Sequence, residues 1–71
     1  MLKVVLKHRK LDRWLIRNNL TMRSFGRSIG VSSPFISQIS TGERCPGPKV
    51  RQKIMDATGL SFDVLFVIRK G

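Results

Sequence analysis

A chain of 71 residues holds one domain with a modest core and leaves no room for a second catalytic or ligand-sensing domain, because short chains bury a small share of their surface. Hydrophobic residues make up 41% of it and charged residues 25%, which is too apolar for a disordered tail. Fourteen Lys and Arg against four Asp and Glu give a formal charge of +10, which either serves solubility or fits a polyanion: DNA, RNA or an anionic lipid surface.

At the start of the chain Leu2, Val4 and Leu6 alternate with Lys3, Val5 and Lys7, a period near two that favours a short strand with one face buried. A helix beginning one turn before residue 8 is the competing reading. Over residues 8–19, Leu11, Trp14 and Leu15 fall at helical spacing, and Arg9, Lys10, Asp12, Arg13 and Arg17 cover the remaining surface. Thr21 is a good N-cap for a second helix, from 22 to about 29, that buries Phe25 and Ile29 and stops at a left-handed Gly30. Two residues later Ser32 caps again, with Pro34 in the first turn, where a missing amide forfeits no intrahelical bond. This third helix, about 33–41, buries Phe35, Ile36 and Ile39 and ends at Gly42.

The stretch Glu43-Arg44-Cys45-Pro46-Gly47-Pro48 is broken by two prolines and a glycine and reads as a loop. Val50, Ile54 and Ala57 then share one face of a fourth helix over 48–58, closed by Gly59. Ser61 caps a last short helix containing Phe62, Val64 and Leu65. The tail Phe66-Val67-Ile68-Arg69-Lys70 is apolar and β-branched, and pairing it with Leu2 to Leu6 explains both end segments at once. The expected architecture is mainly all-α: five helices, with a small two-stranded sheet joining the terminal segments.

Cys45 is the single cysteine, so an internal disulfide and a cage of several thiolates are both excluded, which fits a reducing cytoplasm. The opening residues carry no apolar signal core, and no apolar run is long enough to span a bilayer, so a cytoplasmic protein without membrane attachment is expected. One histidine, His8, with four scattered acids composes no metal site. With no tyrosine either, no nucleophile, base and orienting group can be assembled, and neither an enzyme nor a bound cofactor is expected. The charge is uneven: residues 1–35 hold eight basic groups and one acid, whereas residues 36–71 hold six and three.

The most informative segment runs from Thr21 to Gly42. Gly26 lies inside the second helix, where glycine costs about 1 kcal/mol relative to alanine, so it marks a point where the third helix passes too closely for a larger side chain. Val31 plugs the corner between the two helices, and the polar face of the third is left protruding. The run Gly30-Val31-Ser32-Ser33-Pro34-Phe35-Ile36-Ser37-Gln38-Ile39-Ser40-Thr41-Gly42 resembles the helix-turn-helix of the lambda-repressor and Cro-like (XRE) family, with Phe35 at the usual aromatic position. The likeness extends at lower specificity from Leu11 to Leu65.

That resemblance implies a DNA-reading unit at about 22–42, with the third helix in the major groove of duplex DNA. Base edges would be met by Ser33, Pro34, Ser37 and Gln38. Among these Gln38 is chemically the best reader, because a side-chain amide makes a two-bond match to adenine. Phosphates would be held by Met22 and Arg23 at the start of the second helix, by Arg27 one turn along, and by Thr41, Arg44 and Lys49 after the third. The chain departs from the family where Met22 replaces a usual Gln, and where Leu15 and Ser40 replace a usual Arg–Glu pair. The missing pair leaves no orphan charge.

The resulting expectation is a sequence-specific transcriptional regulator, a repressor or Cro-like protein of the small phage type, that binds double-stranded DNA as a homodimer. The exposed tail over 64–68 is the expected dimer surface. The alternative is an interaction module, an antirepressor or repressor co-factor that uses the same fold to bind another regulatory protein.

Overall fold

The computed structural model describes residues 1–71. Strand β1 (Leu2–Leu6) leads into α1 (His8–Arg17), α2 (Met22–Ser28), α3 (Ser33–Thr41), α4 (Pro48–Thr58) and α5 (Phe62–Leu65), and the chain closes with β2 (Phe66–Lys70). The two strands pair antiparallel in the register Leu2 with Lys70 through Leu6 with Phe66, so the alternating start is a strand and not an early helix. The five helices and terminal sheet are those expected from the sequence.

Ten side chains form the core: Leu6 and Phe66 from the sheet, Leu11 and Leu15 from α1, Phe25 from α2, Val31 from the turn, Ile36 and Ile39 from α3, Ile54 from α4 and Leu65 from α5. Every element thus contributes to one apolar cluster, which is what such short helices need, since helices of this length are marginal in water without tertiary packing. The Trp14 ring meets Phe25 edge-on at 5.7 Å, joining α1 to α2. Leu15, where the resemblance implied an arginine, is buried.

The helix boundaries follow from identifiable groups. Thr21 caps α2 through a reciprocal pair: its hydroxyl accepts from the Ser24 amide at 3.1 Å, and its amide donates to the Ser24 hydroxyl at 3.0 Å. At the other end of α2 the Gly30 amide donates to Arg27 and the Val31 amide to Gly26, a Schellman motif with Gly30 at φ 75°. Ser32 and Ser61 occupy the N-cap positions of α3 and α5 without a side-chain capping bond.

Several expectations are corrected. Helix α1 stops at Arg17 rather than 19, because Asn19 is left-handed at φ 56° and the Leu20 amide turns back to the Leu15 carbonyl. Asn tolerates this conformation better than other residues with a Cβ, so a residue that looks like helix surface is its terminator. Likewise α2 ends at Ser28, with Ile29 as its cap. Trp14, Ile29 and Phe35 are half-buried at the rim of the core. Ala57 is exposed, because the inward stripe of α4 follows the four-residue row Val50, Ile54, Thr58. Leu2 is also exposed, since the sheet runs outward from its buried end at Leu6 and Phe66.

Candidate nucleic-acid interface

Helices α2 and α3 meet through a glycine contact. A Cβ at Gly26 would lie 2.9 Å from the Ile36 Cγ2 and 3.1 Å from the Val31 carbonyl oxygen, closer than real side chains pack. Val31, 8% exposed, fills the corner between the helices. Glycine, left-handed turn and valine plug together fix how α3 crosses α2, and Ile36 and Ile39 hold its inner face in the core.

The outer face of α3 carries Ser33, Pro34 and Ser37, all exposed. Ser33 borders a shallow hollow of about 200 Å³ that Arg23 and Arg27 also line, together with Val31 and Ser32. Two guanidinium-bearing side chains on α2 therefore stand beside the first turn of α3, so Arg27 belongs with Arg23 rather than on a separate face. Met22 is half-buried against the core, so its side chain faces inward at the start of α2.

Gln38 is half-buried and tied to Arg44. The Arg44 Nε donates to the Gln38 Oε1 at 2.9 Å, the Arg44 amide donates to the Gln38 carbonyl at 3.2 Å, and the guanidinium lies 5.1 Å from the centroid of the Phe35 ring. Stacking of this kind at a partly exposed site is worth about 0.5–1 kcal/mol. Gly42, left-handed at φ 86°, reverses the chain at the end of α3 and brings Arg44 back over the helix. Thr41 is exposed and donates its hydroxyl to the Gln38 carbonyl at 3.1 Å. Lys49 stands exposed on the first turn of α4, apart from both groups.

Of the ten candidate residues, Arg23, Arg27 and Ser33 thus converge on one hollow, and Gln38, Thr41 and Arg44 form a second group; Pro34 and Ser37 are exposed on α3, Met22 faces inward and Lys49 belongs to neither group. The Phe35–Arg44–Gln38 stack is absent from the sequence reading, which treated Gln38 as a free amide and Arg44 as a separate loop cation. A faint signal was present, because a glycine stop at 42 followed by Arg two residues later suits a chain that folds back on its helix. No group of three or more His, Cys, Asp or Glu side chains is arranged to hold a metal ion. No helix is long and apolar enough to cross a membrane.

A protruding polar helix locked across a shorter one defines the helix-turn-helix class. The family model described as helix-turn-helix matches residues 11–65, and the chain belongs to that family, the XRE-type group that the Gly30 to Gly42 run resembles. Among curated proteins, YvzC of Bacillus subtilis (strain 168), described as an uncharacterized HTH-type transcriptional regulator, is 28% identical over 64 residues, covering 90% of this chain and 83% of the relative. No solved structure matches the chain.

Proposed function

We propose that the protein is a sequence-specific transcriptional regulator of the repressor or Cro-like kind that binds double-stranded DNA with α3 in the major groove. The observation that carries this reading is the exposed polar face of α3, Ser33, Pro34 and Ser37, flanked on one side by Arg23 and Arg27 and on the other by Arg44. Membership of the helix-turn-helix family and the description of YvzC as a transcriptional regulator support it.

In this reading Ser33, Pro34, Ser37 and Gln38 meet the bases, and Met22, Arg23, Arg27, Thr41, Arg44 and Lys49 meet phosphates. Met22 would act through its backbone amide, since its side chain packs inward. Arg44 has a double part: its free guanidinium nitrogens face a phosphate while its Nε holds the Gln38 oxygen. The Gln38 amide nitrogen is left free to donate to a base acceptor, and full two-bond recognition of adenine requires Arg44 to release the oxygen. A homodimer would place two such helices on successive major-groove faces, and Leu2, Val64 and Ile68, at 67%, 40% and 54% exposure, are exposed apolar side chains on the terminal segments that could join two copies; Met1, Ile16 and Leu20 are exposed as well. Leu65 and Phe66 are core residues, so of the expected 64–68 surface Val64 and Ile68 are the exposed side chains.

Titration of labelled duplexes at several salt concentrations tests the reading. The Gln38→Ala variant should relax base choice at one position with little loss of fold stability, whereas Arg44→Ala should weaken binding to every duplex. Equal losses on all sequences from both substitutions would remove Gln38 as a base reader.

A further inference from the structure

A second concentration of positive charge lies outside the helix-turn-helix face. A groove of about 530 Å³ opens between the sheet and the start of α1, and Lys3, Lys7, Arg9, Lys10 and Arg69 line it with no acidic residue among them. Its far wall is the end of α3, residues 40–42, so it is continuous with the proposed DNA-binding face. Lys7 is anchored, its ammonium donating to the Asp63 carbonyl at 2.8 Å, while Lys3, Arg9, Lys10 and Arg69 are exposed.

The sheet register adds an independent observation. Lys3 is directly paired with Arg69, on the same face as the neighbouring Val5–Val67 pair, and both cations border the groove. Like charges directly opposite one another on a sheet are destabilising. An anion held between the two side chains would offset such a pairing. The only apolar lining comes from three residues, too little to anchor a protein partner through buried side chains, whereas a sugar-phosphate strand needs a cationic rim over a shallow floor.

We infer that this groove is a second DNA contact, holding the phosphate backbone of duplex flanking the segment that α3 reads. The inference rests on the DNA-binding reading and extends it: binding energy would come from DNA outside the read sequence, so affinity would depend on duplex length as well as sequence.

The test compares wild type with Lys3→Gln/Arg69→Gln on two duplexes. One is the tightest site selected from a random pool, trimmed to that site, and the other is the same site extended by about one helical turn on each side. Lys53→Gln/Lys70→Gln removes equal charge from exposed positions outside the groove, and thermal unfolding checks that each variant folds. On the long duplex, two lost phosphate contacts lower the salt slope by about 1.8, so wild-type affinity falls roughly twelve-fold more than the groove variant's between 50 and 200 mM salt. On the short duplex that difference disappears, and the control pair, whose groove is intact, keeps the wild-type dependence on duplex length. A groove variant with the wild-type slope on both duplexes overturns the inference while leaving the α3 reading intact. Loss of binding to polyglutamate with an unchanged duplex slope overturns it in favour of an acidic protein partner. A wild type that binds no duplex removes both readings.

Discussion

Replacing Gly26 by alanine sets two effects of known size against each other. Alanine in a helix interior gains about 1 kcal/mol over glycine, so propensity alone predicts stabilisation. Against this, the new methyl would sit 2.9 Å from the Ile36 Cγ2, 3.2 Å from its Cβ and 3.1 Å from the Val31 carbonyl oxygen. None of these can yield cheaply. Ile36 is 1% exposed within the core, and the Val31 backbone is tied to Gly26 itself by a 2.8 Å hydrogen bond. Overpacking a tight contact costs about 1–3 kcal/mol. The expected net is a loss of about 1 kcal/mol, which lowers the melting temperature of a domain this small by about 4–8 °C. Thermal unfolding followed by circular dichroism reads it directly. A rise in melting temperature would show that propensity wins and that the α2–α3 contact does not require glycine.

Thr21→Ala removes a hydroxyl that accepts from the Ser24 amide and should cost about 1 kcal/mol, measured by urea unfolding. Gly42→Ala places a Cβ at φ 86°, where nothing lies within 4 Å to clash, so its loss of about 1–2 kcal/mol should be purely conformational. A double-mutant cycle of Gln38→Ala and Arg44→Ala, read as duplex affinity, should be non-additive by about 0.5 kcal/mol or more, because one hydrogen bond joins the two side chains; strict additivity would separate their roles. If the proposed homodimer uses this surface, Ile68→Glu should shift sedimentation towards monomer with little effect on the core, and an unchanged sedimentation coefficient would remove Ile68 from any such contact.

Much of the fold was legible because the punctuation is chemical. Thr21, Pro34 and Pro48 start helices, Gly30 and Gly42 stop them, and the apolar ends of the chain explain each other only as paired strands. The end of α1 was not legible, since Asn19 resembles any polar helix residue until its backbone turns left-handed. The inward face of α4 was equally hidden, because Ala57 and Thr58 both continue a helical stripe and only the packing direction selects between them. In the candidate site, which residues protrude from α3 could be counted from Gly30, but the hold of Arg44 on Gln38 depends on the path of a loop. The basic groove was the least visible, because its walls come from both ends of the chain and the middle, and a linear count of charge does not show which cations converge.

Selection of bound duplexes from a random pool by the wild-type protein tests the central claim most directly. The account predicts enrichment of a defined motif, with Gln38→Ala losing preference at one of its positions while the others persist. A pool that stays random after repeated rounds, with all duplexes bound equally and released together by salt, would contradict sequence-specific recognition by α3.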